Sequence, residues 1–102
     1  MIEAQSCSTM AQVRAGVDAV DAQLVAILAK RMTFMDAAAR IKPGRDLVRD
    51  EERKSRVIAN ACELSAQAGL PDGLAAALWE VLVEASIAYE LRAFDQRHIA
   101  AE

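Results

Sequence analysis

From Thr9 to Lys42 the sequence holds no proline, and its one glycine, Gly16, lies near the start. Pro43-Gly44 ends the stretch. As an α-helix, a run of about 34 residues is roughly 51 Å long at ~1.5 Å per residue. Ser8-Thr9-x-x-Gln12 supplies the start, because Thr9 and Gln12 have capping-box spacing. Val13, Val17, Val20, Leu24, Ile27, Met35, Ala38 and Ile41 recur at helical spacing and predict one amphipathic stripe. The long unbroken helix is what any fold of this chain has to accommodate.

Two shorter helices follow. The second starts near Asp50 and runs to Ala68-Gly69, with Val57, Ile58, Ala61 and Leu64 as its stripe and Gly69 as its stop. Pro71-Asp72-Gly73 makes a turn, with Asp72 the candidate N-cap of the third helix, which runs from about Gly73 to Gln96. Leu74, Leu78, Val81, Leu82, Ala85 and Tyr89 share one face of that helix, and Trp79, Val83, Ile87 and Phe94 add apolar surface elsewhere. A helix apolar on more than one face is buried on more than one side. No period-two alternation, internal repeat or low-complexity segment interrupts the pattern.

The reading is therefore all-α: three helices, the N-terminal one long, in a single domain covering residues 1–102 with its core from about 9 to 96. A chain of 102 residues has room for one domain. Its apolar fraction of 54% comes from alanine, leucine and valine, with only four aromatics, which suits helices. The lengths leave a packing problem. The second and third helices, about 28 and 35 Å long, cannot cover a straight stripe of about 51 Å. The row from Val13 to Leu24 stays exposed unless a second copy covers it. An intertwined helical-bundle homodimer is expected.

Charge and motif content narrow the function. The net charge of −3 comes with no basic block, so a nucleic-acid partner is not expected. Met1 to Met10 lacks the basic-then-apolar pattern of a signal peptide, no apolar run is long enough for a membrane span, and the expected compartment is the cytoplasm. Cys7 and Cys62 stand alone, without CxxC spacing or a nearby histidine, so no metal site or disulfide framework is expected.

Helical phase singles out two cations. With Arg31 set at zero and about 100° per residue, Val13, Val20, Leu24, Ala38 and Lys42 all fall within about 20° of it. Lys30 and Arg40 point elsewhere and read as solvated charges. A lysine and an arginine on a core-facing stripe are costly unless anions answer them. Lys42 could reach water at the helix end, and Arg31 could pair with an acid of another helix. The functional alternative is a pocket kept cationic for an anionic ligand, with Met35 and Ala38 as its floor. Arg53, four residues before Val57, extends the inner stripe of the second helix, and Asp50 could cap that helix or contact a ligand. Ser86 and Glu90 are an i,i+4 pair on the Trp79–Val83 face.

These residues, in this order, resemble the all-helical chorismate mutases. The resemblance runs from about Val13 to Phe94. It rests on Val13-Arg14-x-x-Val17-Asp18-x-x-Asp21-x-x-Leu24-Val25-x-x-Leu28-x-x-Arg31, then Lys42, then Val48-Arg49-Asp50-x-x-Arg53, then Glu84-Ala85-Ser86-Ile87-x-x-Glu90. It implies the rearrangement of chorismate to prephenate, on the route to phenylalanine and tyrosine. That pericyclic reaction needs no cofactor, metal or nucleophile. The resemblance implies that Arg31 and the partner chain's Arg14 grip two carboxylates, where a planar guanidinium binds bidentately. Lys42 would contact a carboxylate and the ether oxygen, Arg53 and Asp50 would form a polar wall, and Ser86 would assist binding.

Two positions depart from the family pattern. Lys54 stands where the family often has a glutamate that receives the substrate hydroxyl, and as a lysine it can still donate to that hydroxyl, which keeps it among the substrate-binding candidates. Glu90 stands where many members have a glutamine that donates to the ether oxygen, and a carboxylate donates only when protonated. Burial and a bound dianion favour the protonated form of Glu90, while Lys42 and Arg53 oppose it. Isochorismate-pyruvate lyase is a rival, since it shares the fold and the cations, and the stretch from Lys30 to Lys42 resembles it as well. A non-catalytic helical dimerisation module is the rival of another class.

Overall fold

A computed structural model of the chain describes residues 2–101, and the side chains of residues 2–99. Three α-helices make up nearly all of it: α1 (Met10–Ile41), α2 (Glu51–Gln67) and α3 (Leu74–Ala101). Single 3-10 turns lie at Ala4–Ser6 and Arg45–Leu47. No strand occurs among the described residues. The chain is all-helical, as the unbroken first stretch requires.

Each helix end has a local cause. At the start of α1 the Thr9 N–H donates to Gln12 Oε1 and the Gln12 N–H donates to Thr9 Oγ1, both at 3.2 Å. This is the reciprocal capping box that the spacing predicts. Asp50 caps α2, its Oδ1 accepting from the Arg53 N–H at 3.0 Å. At the other end of α2 the Leu70 N–H reaches Ser65 O at 3.0 Å and the Gly69 N–H reaches Ala66 O at 3.1 Å, with Gly69 at φ 77°. That pair of bonds is a Schellman closure, and its left-handed residue is the predicted stop, Gly69. Asp72 does not become the cap of α3. The helix begins at Leu74, so Gly73 (φ 85°) takes the cap position, and its carbonyl accepts from Ala77 N–H at 3.2 Å. The helix also runs past Gln96, because nothing from Asp95 to Ala101 breaks it. His98 stacks on Phe94 one turn back, with ring centroids 4.0 Å apart.

The chain divides into two compact units, Met1–Phe34 and Met35–Glu102. In the first, the 3-10 turn and α1 enclose a hollow of about 450 Å³ lined by Ile2, Cys7, Val13, Gly16, Val17 and Val20 among others. Its α1 carries an uncovered apolar row: Val13, Val17, Val20, Leu24 and Ile27 are 39–62% exposed. In the second, Ala39, Val48, Val83, Ile87 and Phe94 form the core, with Val57, Ile58, Trp79 and Leu91 packed against it.

Which side of each helix faces inward differs from the periodicity reading. At the end of α1 the buried residue is Ala39, while Ile41 is 69% exposed. Two residues apart, they point about 160° from each other. On α2 the inner residues are Ala61 and Ser65, and Leu64 faces out. On α3 the face with Val83, Ser86, Ile87, Glu90 and Phe94 is buried, whereas Leu74, Leu78 and Val81 are exposed. Periodicity reports that a helix has an apolar side. Where a helix has two, the neighbour decides which is covered, and α2 with Lys42 and Val48 takes the Val83–Phe94 side.

Candidate active site

All of the candidate residues from Lys42 onward belong to the second unit. Lys42 follows the last turn of α1, its N–H bonded to Ala38 O at 2.9 Å. Its Nζ donates to Glu90 Oε2 at 2.7 Å and to the Val48 carbonyl at 3.4 Å. The lysine side chain is 29% exposed and the glutamate side chain 6%. The cation thus turns inward to a buried carboxylate on α3. Burying that carboxylate alone would cost several kcal/mol, and the lysine offsets it. The pair leaves a charged spot beside an otherwise apolar core.

Ser86 lies one turn before Glu90 on the same buried face, and its Oγ donates to Leu82 O at 2.7 Å. Asp50 is exposed and occupied as a helix cap. Arg53 is exposed, which corrects its placement on the inner stripe. Along α2 the inner line runs Lys54, Ile58, Ala61, Ser65. Lys54 therefore turns inward, its side chain 16% exposed.

Lys54 is already held. Its Nζ lies 2.8 Å from Glu80 Oε1 and 2.8 Å from Glu84 Oε2. Arg49 approaches Glu84 with both terminal nitrogens, at 3.0 Å to Oε2 and 2.8 Å to Oε1, and also meets Glu51 at 2.9 Å. The hydrogen bonds from Arg49, then that from Lys54, hold the Glu84 carboxyl down at about 2. The same bonds raise Arg49, chiefly through Glu84, and raise Lys54, chiefly through Glu80. Tyr89 is raised by its hydrogen bond to Asp36, at 2.8 Å. Glu80 escaped the sequence reading, and Glu84 entered it only as a motif residue without a role. Their signal was an i,i+4 acid pair flanking the Val83–Ile87 face, opposite a helix that carries one inward lysine.

The two remaining candidates lie in the first unit. Arg14 is exposed on α1, and Arg31 is partly buried. The hollow of about 450 Å³ in that unit is lined by none of the candidate residues. It borders the uncovered apolar row rather than the charged pair.

An all-helical fold with a half-buried lysine on a buried carboxylate beside its core is the class of protein these elements define. The family model for chorismate mutase type II matches residues 13–91, and the chain belongs to that family. The matched span reaches from Val13 on α1 to Leu91 on α3, so it takes in Arg14, Arg31, Lys42, Asp50, Arg53, Lys54, Ser86 and Glu90. No curated protein matches the chain. No helix among the described residues is long and apolar enough to cross a membrane.

Proposed function

We propose that the chain is a chorismate mutase acting in aromatic amino-acid synthesis, a cytoplasmic homodimer that converts chorismate to prephenate. The observation that carries this reading is the Lys42–Glu90 pair, 2.7 Å apart on the buried face of α3. Those are the two positions at which the family resemblance expects a cation and a donor around the ether oxygen. The reaction breaks one carbon–oxygen bond and forms one carbon–carbon bond within a single molecule. No group of the protein has to form a bond to it. Catalysis comes from holding the reactive conformer and from donors aimed where negative charge develops.

In this reading Arg31 and the partner subunit's Arg14 bind the substrate carboxylates. Lys42 leaves Glu90 to meet a carboxylate and the ether oxygen, and Glu90, protonated, donates to that oxygen. Ser86, Asp50 and Arg53 line the remaining wall. Lys54 directs two of its three ammonium hydrogens to Glu80 and Glu84, and in this reading the third donates to the substrate hydroxyl. The uncovered row from Val13 to Ile27 and the outer face of α3 at Leu74, Leu78 and Val81 support a second copy as their cover. Within that dimer each chain acts as one domain.

A second reading, isochorismate-pyruvate lyase, draws on Lys54, since the clamped lysine removes the carboxylate that would mark the chorismate hydroxyl. Incubation of the purified chain with chorismate and with isochorismate separates the two. Prephenate supports the mutase, salicylate with pyruvate supports the lyase, and no product supports a non-catalytic module. Arg31→Ala should abolish turnover in a folded chain, and retained turnover removes Arg31 from the site.

A further inference from the structure

The polar contacts along α3 form one continuous path. It begins at Glu80, whose Oε1 accepts from Lys54 at 2.8 Å. Lys54 donates again to Glu84 Oε2 at 2.8 Å. Glu84 receives the Arg49 guanidinium through both of its oxygens, at 2.8 and 3.0 Å. Arg49 follows Val48, which is 4% exposed in the core and whose carbonyl accepts from Lys42 at 3.4 Å. Lys42 then returns to α3 at Glu90.

We propose that Glu84 is a positioning residue for Lys42: through Arg49 it fixes where the Val48 carbonyl holds the lysine ammonium. The proposal rests on the reading of Lys42 as the group that meets the substrate. The lysine stem has four rotatable bonds and ends in a point charge, so its head stays where its acceptors put it. The described acceptors are Glu90 and the Val48 carbonyl. When a substrate draws Lys42 away from Glu90, the carbonyl is the one left to aim it. Burial of Val48 and the bond from its N–H to Arg45 O hold that residue, but neither acts on the peptide that carries its carbonyl. The following residue, Arg49, stops that peptide from rotating, because a bidentate fork on a carboxylate fixes a plane as well as a distance.

The fork needs a carboxylate that does not turn. An exposed arginine–glutamate pair alone is weak and mobile. Lys54 supplies the restraint: its side chain turns inward, 16% exposed, and its ammonium pins Glu84 Oε2 and is itself pinned by Glu80. Lys54 thereby restrains Glu84 from the end of a relay.

The test uses the full chain. Wild type, Glu84→Gln, Arg49→Lys and the double variant are assayed for kcat and KM on chorismate, and amide hydrogen exchange is followed at Val48 and Arg49. Arg49→Lys keeps the charge but loses the fork. Each single variant should lower kcat by about tenfold while KM changes less than about threefold, since a shift of the order of 1 Å in a positioned group is enough for such a loss. Exchange at Val48 and Arg49 should quicken in both. The double variant should lose little more than either single one, because both changes cut the same path. A mere clip between loop and helix would lower stability and leave the kcat of the folded enzyme alone. If the wild type turns over chorismate while Glu84→Gln or Arg49→Lys keeps kcat within about twofold, or if the two losses multiply, the positioning role is overturned. A wild type that makes no prephenate overturns the functional reading instead, and the positioning role with it.

Discussion

Glu90 and Glu84 sit six positions apart on one helix and are held by different cations, Glu90 by Lys42 and Glu84 by Arg49 and Lys54. Glu90 is a proposed donor that acts in the structure as an acceptor, taking Lys42 at 2.7 Å. While ionised it neutralises the cation the substrate needs and repels charge growing on the ether oxygen. Glu90→Gln, whose neutral amide donates to the ether oxygen, should therefore match or exceed the wild type in kcat/KM on chorismate. A folded variant that loses turnover would end the idea. Glu84 affects stability rather than chemistry. Its folded carboxyl is held at about 2, below the ordinary glutamate range near ~4.3. Its contribution is then complete above that range and is lost as pH falls through it towards the folded value. The thermal midpoint of Glu84→Gln should decline less than that of the wild type over the same acid interval. Equal declines would mean that the Arg49–Glu84 fork does not persist in solution.

Helix ends were the most legible elements, because a cap needs only residues close in sequence. Thr9 with Gln12, Asp50 and Gly69 each do what their spacing suggests. Thr9→Ala should cost about 1 kcal/mol, read as a lower urea midpoint at unchanged slope. Gly69→Ala meets no atom within 4 Å, so its cost of roughly 1–2 kcal/mol comes from a left-handed backbone alone. Helix faces were less legible. Leu64 against Ser65, or Ile41 against Ala39, is decided by which neighbour arrives, and that neighbour lies far along the chain. The site divides in the same way. Lys42 and Glu90 stand out as charges on apolar faces. The partners of Lys54, 26 and 30 residues away, follow from no local rule. Asp72 failed as a cap because the glycine after it could take a turn geometry that aspartate adopts with more difficulty.

At the scale of the whole molecule, the proposed dimer makes oligomeric state and activity one property. Leu24 is 51% exposed in the single chain, so Leu24→Asp should barely disturb a monomer. If a second copy covers it, the variant should sediment as a monomer and lose turnover together. A dimeric, active Leu24→Asp would show that the row has another purpose. Mixing also tests the sharing of arginines. Arg14→Ala and Arg31→Ala are each expected to be inactive alone. Refolded together in equal amounts they should regain about a quarter of wild-type activity, because half of the dimers are mixed and each mixed dimer has one intact site. No recovery would place Arg14 and Arg31 of the same chain in one site.

The bare apolar row of α1 has a last consequence, for how much of the protein must be present. A chain that completes its core with a copy of itself has a folding equilibrium that follows mass action, so its melting point climbs with concentration. Dilution then acts on it as a denaturant. A cell making few copies would hold a smaller folded fraction, so output would rise more steeply than expression at low abundance. The length of one helix would set a threshold on the dose of the enzyme.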